Sequence, residues 1–284
     1  MCTITDRSTF MKFIETTLWQ DGKERCVTFS YDDGRIEDRR LVALFNKYGL
    51  KATFHLNNPG FEKHFPQFLS DPEFVSPEEY KELYRGHEVS CHGEQHSFMY
   101  YTPDEYIRRE IRENRRFLES VMGYPVRGMS YPFGSFDDRV IANCRAEGME
   151  YARTASESMS FGIPSDFMNW TGTCHHERAT KELFEKFMSP MLYGFMRLYY
   201  IWGHSYELNT EEKWAHMEEV CKTVSGHEGI WYATNIEIVD YINALRGLRF
   251  TADCTAAYNP SCTDVWIKVD REPVCIPAGK TVAL

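Results

Sequence analysis

Two adjacent carboxylates, Asp32 and Asp33, stand at the end of a short apolar run. The residues from Val27 to Phe29 are β-branched or aromatic, as expected in a packed strand. Successive side chains of an extended chain point in opposite directions, so one carboxylate can face a metal ion and the other a water molecule. The stretch is therefore either the start of a catalytic site or an ordinary strand followed by an Asp-Gly turn at Gly34.

Two histidines, His92 and His96, occur four positions apart in the segment His-Gly-Glu-Gln-His. At this spacing two imidazoles can meet on one face of a helical turn and bind a divalent metal. The pattern alone is weak, because the chain contains 10 His. Adding Asp33 gives two histidines and one carboxylate, a set that leaves metal positions open for water and substrate. These three residues form a candidate catalytic metal site.

Strands and helices are predicted to alternate about seven times between residues 25 and 245. This pattern indicates an α/β fold, either a barrel or an open parallel sheet. Asp32, His92, the turn 131–134 and His204 each follow a predicted strand. The carboxyl ends of the strands in a parallel barrel share one face, so we expect these groups to meet there. No Gly-rich phosphate loop follows the first strand, which counts against a nucleotide-binding sheet.

The predicted organisation has three parts. Residues 1–24 form an irregular lead-in, residues 25–247 form the α/β unit, and residues 248–284 form a small all-β appendage whose short apolar runs alternate with turn residues. Within the α/β unit, residues 154–178 are predicted to be irregular. The pair His175-His176 in that segment is interpreted as a loop pair outside the site.

Composition excludes several classes of partner. The net charge is −10 and no basic stripe is visible, which argues against nucleic acid. No apolar run approaches the ~18 residues that span a membrane. No signal peptide is visible, so we expect a cytoplasmic protein, or a secreted or periplasmic one if an export signal has been removed. The nine Cys lack a CxxC pair and are expected to be reduced, with pairing of Cys254 and Cys262 across a hairpin as the alternative.

The motifs and their order resemble those of the polysaccharide deacetylase family, whose shared unit is the NodB homology domain. The resemblance extends from about residue 25 to residue 235 and is carried by five segments: Thr28–Gly34, His92 with His96, Pro132–Gly134, the partial match Asp166–Trp170, and Ile201–His204. It implies a distorted (β/α)7 barrel, in agreement with the alternation of strands and helices.

The resemblance also implies a role for each matched position. Asp33, His92 and His96 would hold a divalent metal, with zinc as the first choice and cobalt, nickel or manganese as alternatives. Asp32 would act as general base and His204 as general acid. The residues expected to contact the substrate or its oxyanion are Tyr131, Pro132, Phe133 and Trp170.

The sequence departs from the family pattern at two positions, both of which hold residues that orient or support the catalytic groups in the family. Ser130 occupies the position of an arginine that orients the catalytic aspartate in the family, and Arg127, three residues earlier, is the candidate to replace it. Asn169 stands where the family has a second aspartate that supports the catalytic groups, which leaves Asp166 as the candidate for that role.

The resemblance implies a hydrolase that removes acetyl groups from an acetylated sugar or polysaccharide, most simply N-acetyl groups. An O-acetyl esterase acting on xylan-like chains would use the same site. A hydrolase of small amides or cyclic ureides is a further alternative, and the missing signal peptide slightly favours it. A catalytically silent carbohydrate-binding barrel is the alternative from another class, motivated by the two departures.

Overall fold

The computed structural model describes residues 12–61, 73–190 and 195–284, so the first 11 residues of the predicted lead-in lie outside the described part. The strands are β1 (Ile14–Glu15), β2 (Arg25–Asp32), β3 (Ala52–Leu56), β4 (Glu88–Cys91), β5 (Gly128–Ser130), β6 (Tyr151–Glu157), β7 (Trp170–Gly172), β8 (Cys174–His175), β9 (Arg197–His204), β10 (Ile230–Tyr232), β11 (Arg249–Phe250), β12 (Ala256–Tyr258), β13 (Val265–Val269), β14 (Glu272–Ile276) and β15 (Thr281–Ala283). The α-helices are α1 (Asp38–Lys47), α2 (Tyr80–Leu83), α3 (Asp104–Met122), α4 (Asp138–Ala146), α5 (Lys181–Met188), α6 (Glu211–Val224) and α7 (Asn235–Arg246).

Parallel strands form the centre of the fold, in the order β7-β6-β5-β4-β3-β2-β9-β8. β7 pairs with β6 and β8 pairs with β9, while only Thr173 separates β7 from β8 in the chain. The segment from β7 to β8 therefore connects the two ends of the sheet and closes a barrel. Its seven strand positions are β2 to β6, the β7–β8 segment and β9, and β10 pairs beside the first half of β2. The predicted (β/α)7 barrel is confirmed.

The two faces of β2 have different surroundings. Val27 and Phe29 pack in the hydrophobic core. The alternate residues are buried but polar and contact other elements of the barrel; the Thr28 hydroxyl, for example, donates to Asn235 at the start of α7 at 3.1 Å. Asp32 lies on this polar face because it follows Thr28 by an even number of residues. Strand alternation therefore points Asp32 toward the polar interior.

Helix α3 has a buried polar side chain, Asn114, on the apolar face that packs against the barrel. Ile107, Ile111 and Leu118 are fully buried, at the spacing that faces a helix toward a core. Asn114 lies among them and is also fully buried. The helix ends at Gly123, which has φ of 81° and so takes the left-handed conformation that stops a helix.

Two small antiparallel sheets complete the structure: β11-β12-β15, and β1-β13-β14. β1 comes from the predicted lead-in, and Ile14 pairs with Val269. The Tyr241 hydroxyl of α7 donates to the carbonyl of Leu18 at 2.9 Å and accepts from the N–H of Trp266 at 3.1 Å. The lead-in and the appendage therefore pack together on α7, and the proposed boundaries at residues 24 and 247 remain predictions.

Part of the segment predicted to be irregular is ordered. Residues 154–178 contain the end of β6 and the strands β7 and β8. β7 and β8 have too few residues to show the periodic pattern by which a strand is recognised in a sequence. All cysteines in the described part of the chain are free, so the alternative pairing of Cys254 with Cys262 is wrong. None of the helices in the described ranges has the length and apolar character needed to cross a membrane.

Candidate active site

The carboxyl ends of three strands meet at one mouth of the barrel. Asp32 ends β2 and is in register with His204, which ends β9. His92 directly follows β4. Asp33, the first residue after β2, has φ of 79°, and its N–H donates to the carbonyl of His55 at 3.0 Å. Such a left-handed conformation is costly outside glycine and is concentrated at functional sites.

The three predicted metal ligands lie within a few ångströms of one another. The Oδ1 atom of Asp33 is 3.5 Å from Nε2 of His92 and 3.7 Å from Nε2 of His96. The two Nε2 atoms are 3.0 Å apart. His96 also has a left-handed backbone, with φ of 54°, which turns its imidazole back toward His92. The structure thus brings Asp33, His92 and His96 together.

Hydrogen bonds fix the orientation of His92. Its Nδ1 lies 3.0 Å from the carbonyl oxygen of Ser130. Because a carbonyl only accepts, Nδ1 carries the proton, and the lone pair of Nε2 faces Asp33 and His96. The side chain of Asn114 accepts from the backbone N–H of His92 at 2.9 Å. This is the tautomer and the outer support that a metal-binding histidine requires.

The loop that carries His96 is held by Glu110 of α3. The Glu110 carboxylate accepts from the N–H of Gln95 at 2.9 Å and from the hydroxyl of Ser97 at 2.9 Å. Gly93, with φ of 85°, allows the close approach, because a Cβ there would lie 3.0 Å from Oε2 of Glu110. A glycine and a buried carboxylate therefore position the second histidine.

The chemistry of this set fits a divalent cation. Burial lowers the pKa of both His92 and His96 to about 4, so both imidazoles are neutral at pH 7 and can act as ligands. The Oδ1 atom of Asp33 is buried and has no hydrogen-bond partner within the described residues. A carboxylate oxygen without a partner, facing two imidazoles, is stabilised by a cation between them.

Asp32 is held by Arg153, which the sequence did not indicate, and by Ser130, which counted as a departure from the family pattern. Its Oδ2 accepts from the guanidinium of Arg153, and its Oδ1 accepts from the hydroxyl of Ser130 at 3.1 Å. Burial opposes ionisation of Asp32, but Arg153 and, to a lesser degree, His92 lower the pKa of this carboxyl well below its usual range. Asp32 is therefore an oriented carboxylate at neutral pH.

The prediction that Arg127 orients Asp32 is wrong. The guanidinium of Arg127 pairs with Glu150 at 2.6 Å and with Asp240 at 2.6 Å. Arg127 precedes β5, whereas Ser130 ends it, and three steps of extended chain place the two residues about 10 Å apart. Arg127 therefore lies at the amino end of the barrel, away from the mouth.

His204 is paired with Glu207, three residues later. Their Nδ1 and Oε2 atoms are 3.3 Å apart, and the backbone N–H of His204 donates to the same oxygen at 2.9 Å. Burial tends to lower the pKa of His204, but Glu207, Asp33 and Asp32 together raise it to about 9. The imidazole is therefore protonated at neutral pH and can donate a proton.

The pair His175-His176 lies beside His204, contrary to its interpretation as a loop pair outside the site. Nε2 of His175 is 2.8 Å from Oε2 of Glu207, and Nε2 of His176 is 3.9 Å from it. β8 and β9 are neighbours in the barrel, so the residues after them meet at its mouth. The sequence missed this contact because the two segments are about 30 residues apart.

Asp166 and Trp170 have roles in packing and capping. The carboxylate of Asp166 pairs with Arg145 at 2.7 Å and accepts from the N–H of Met168 at 2.9 Å. Trp170 is 1 % exposed and packs in the second hydrophobic cluster, with its ring 4.9 Å from that of Tyr200. The predictions of a supporting carboxylate at Asp166 and a substrate contact at Trp170 are therefore wrong.

The side chains of the turn after β5 lie partly in the core and partly at the barrel mouth. Tyr131 and Pro132 are buried, and the Tyr131 hydroxyl donates to the carbonyl of Met168 at 2.8 Å, so neither side chain is presented to a substrate. Phe133 is half exposed, has φ of 57°, and lies edge-on to His96 with ring centroids 4.3 Å apart. Of the predicted substrate residues, Phe133 is the one that contacts the metal-ligand set.

Sequence comparison agrees with the motifs. Residues 20–152 match the sequence profile of the polysaccharide deacetylase family. No curated protein matches the chain at a significant level. The profile ends before β7, so it covers Asp33, His92 and His96 but not His204.

Comparison of folds extends the similarity over most of the chain. A protein from Mycobacterium smegmatis assigned as a polysaccharide deacetylase aligns with a TM-score of 0.59 and 16% identity, over 82% of this chain and 94% of that one. A family 4 carbohydrate esterase from Streptomyces lividans in complex with acetate aligns with a TM-score of 0.48 and 15% identity, over 73% and 91%.

A carbohydrate esterase family 4 pseudoenzyme from Bacillus anthracis also aligns, with a TM-score of 0.49 and 17% identity, over 75% of this chain. The present chain covers 65% of that protein, slightly less than two thirds of its length. The profile match over residues 20–152 makes this part of the chain similar to the polysaccharide deacetylase family, as its motifs predicted, and the mycobacterial protein shares its barrel fold.

Proposed function

We propose that the chain is a metal-dependent hydrolase that removes acetyl groups, N-acetyl groups above all, from a carbohydrate. One observation carries the proposal: the cluster of Asp33, His92 and His96 shares the barrel mouth with an ionised carboxylate, Asp32, and a protonated imidazole, His204. The match of residues 20–152 to the polysaccharide deacetylase profile supports an acetylated sugar or polysaccharide as the substrate.

A divalent cation at Asp33, His92 and His96 would polarise the acetyl carbonyl and lower the pKa of a water molecule. Zinc suits two imidazoles and one carboxylate, and cobalt, nickel and manganese are the alternatives. The three side chains keep their ligand atoms within 4.8 Å of one another. Their convergence supports metal dependence.

Asp32 and His204 would divide the proton transfers between them. Asp32 accepts the proton of the attacking water, since Arg153 keeps the carboxylate ionised. His204 donates a proton to the leaving nitrogen, because an amine cannot depart as an anion. The charge states of the two groups, one negative and one positive at neutral pH, favour this assignment over the reverse.

The backbone N–H of Phe133 is the proposed donor to the oxyanion that forms on the acetyl carbon. The contact of Phe133 with His96 supports this position next to the ligand set. Its ring also stacks on Phe98, with centroids 3.8 Å apart and planes 5° from parallel. Both rings are about 45% exposed and offer an aromatic surface against which a sugar ring can pack.

The test is acetate release by the full chain, stripped with a chelator and reloaded with zinc. We expect acetate from an N-acetylated chito-oligosaccharide and no ring opening of a cyclic ureide; a faster rate of acetate release from O-acetylated xylan would favour the esterase alternative. Asp32→Asn should lower turnover by about 10²–10⁴-fold and keep the zinc. The exposed Asp138→Asn is the matched control. Zinc-loaded protein that releases no acetate from either glycan would support the silent binding barrel.

A further inference from the structure

A second cluster of two histidines and one carboxylate lies beside His204. It consists of His175 at the end of β8, His176 directly after it, and Glu207 in the short 3-10 helix that follows β9. Their ligand atoms lie within 4.8 Å of one another, as they do in the set of Asp33, His92 and His96. The proposed hydrolysis uses Glu207 only through its effect on His204 and gives the two histidines no role.

The surroundings of His176 allow it to bind a metal through Nε2. It is fully buried, and its Nδ1 lies 3.2 Å from the hydroxyl of Tyr31. The same hydroxyl lies 3.4 Å from Sδ of Met217. When it donates to that sulfur, its oxygen accepts from Nδ1 of His176, and the lone pair of the neutral ring is then on Nε2.

The lone pair of His176 faces a carboxylate. Nε2 has no hydrogen-bond partner within the described residues, and the nearest charged oxygen is Oε2 of Glu207 at 3.9 Å. Two electron-rich atoms facing each other in a buried site are unfavourable unless a cation lies between them.

The backbone is shaped to allow this position of His176. Gly203 lies against the imidazole, and a Cβ there would be 2.1 Å from its Nδ1. The carbonyl of His176 lies 3.0 Å from Nε2 of His216 on α6. Gly203 and the Tyr31 hydroxyl therefore confine the ring of His176, while the His216 contact holds its backbone.

We infer that His175, His176 and Glu207 form a second divalent-cation site, distinct from the one at Asp33, His92 and His96. Two imidazoles and one carboxylate favour a borderline first-row ion such as zinc, cobalt or nickel. The cation would share the Glu207 carboxylate with His204.

The test counts zinc in the full chain after chelator treatment, reloading with zinc chloride and gel filtration. We expect two zinc ions per wild-type chain, one in Glu207→Gln, one in Asp33→Asn, and none in the double variant. His175→Ala is a second route to the same loss at a partly exposed position, in case Glu207→Gln fails to fold. The exposed Glu212→Gln and the distant His227→Ala are matched controls and should keep both ions.

One zinc per wild-type chain, retained in Glu207→Gln and His175→Ala and lost in Asp33→Asn, would overturn the inference. The opposite result, in which Asp33→Asn keeps the wild-type count while Glu207→Gln loses an ion, would support the second site and remove the metal ligands of the proposed function. The two proposals therefore fail separately. Cobalt in place of zinc gives an independent readout, since loss of one site removes its share of the visible absorption.

Discussion

The hydroxyl of Ser130 connects the proposed base to a proposed metal ligand. Its Oγ lies 3.1 Å from Oδ1 of Asp32 and 2.7 Å from Nδ1 of His92. Asp32 accepts the hydroxyl proton, and the oxygen can accept from His92 in turn. Ser130, which counted as a departure from the family pattern, thus orients both groups from the end of β5.

We predict that Ser130→Ala lowers kcat or zinc affinity by about 10–100-fold, because outer hydrogen bonds to a ligand histidine typically have that effect. The change removes one oxygen and leaves the carbonyl contact of Ser130 to His92 intact. Acetate release and zinc titration are the measurements. Ser120→Ala, on the exposed side of α3, is the control. Wild-type kcat and zinc affinity in Ser130→Ala would show that the hydroxyl contacts of Ser130 with Asp32 and His92 do not contribute to function.

Arg153, and not Arg127, is expected to control the carboxylate of Asp32. Arg153→Lys keeps a positive charge but loses the planar guanidinium, so Asp32 is misaligned and kcat falls by about 10²-fold. Arg153→Ala leaves a buried carboxylate unpaired and should destabilise the fold by about 3–5 kcal/mol. Rates for the lysine variant and urea denaturation of the alanine variant are the measurements.

Arg127→Ala provides the matched comparison. Its ion pairs with Glu150 and Asp240 are partly exposed, so their loss should cost about 1 kcal/mol or less and leave kcat unchanged. If Arg127→Ala lowered kcat as much as Arg153→Lys, the assignment of the orienting arginine to β6 would be refuted.

The loss of rate on replacing His204 is expected to depend on how strongly the leaving group needs a proton. His204→Gln should lower acetate release from an N-acetyl sugar by about 10²–10⁴-fold, because the leaving amine requires an acid. With 4-nitrophenyl acetate, whose leaving group departs as a stable anion, the loss should be much smaller. Asp32→Asn should slow both substrates. Equal losses on both substrates in His204→Gln would contradict its role as the acid.

The metal ligands could be predicted because their positions are encoded locally. Asp33 and His92 directly follow strands, and His96 is four residues from His92, so the strand ends together with the ordered family motifs indicated them. Arg153 is 121 positions from Asp32, and only closure of the barrel brings them face to face. A charged residue in the otherwise apolar start of β6 was the one available signal, since a buried arginine needs an acidic partner.

The barrel interior offers a test of pH dependence outside the site. Glu88 of β4 is buried, and its carboxyl group accepts from the hydroxyls of Thr53 and Tyr151 and from the N–H of Ile236. Burial raises the pKa of Glu88 from 4.5 to about 7, and these hydrogen bonds only partly oppose that effect. Between these two pKa values, Glu88 is therefore protonated in the folded chain but ionised in the unfolded chain.

The free energy of unfolding should accordingly contain a contribution from Glu88 that is fully present below about pH 4.5 and is lost as the pH rises through about 7. Its size is on the order of 3 kcal/mol. Glu88→Gln keeps the shape of the neutral acid. The decrease in the free energy of unfolding between pH 5 and pH 8 should therefore be smaller in this variant than in the wild type. Urea denaturation of metal-free protein at both pH values measures the difference, and the exposed Glu185→Gln is the control. Identical losses in wild type and Glu88→Gln would mean that Glu88 is ionised in the folded chain at neutral pH.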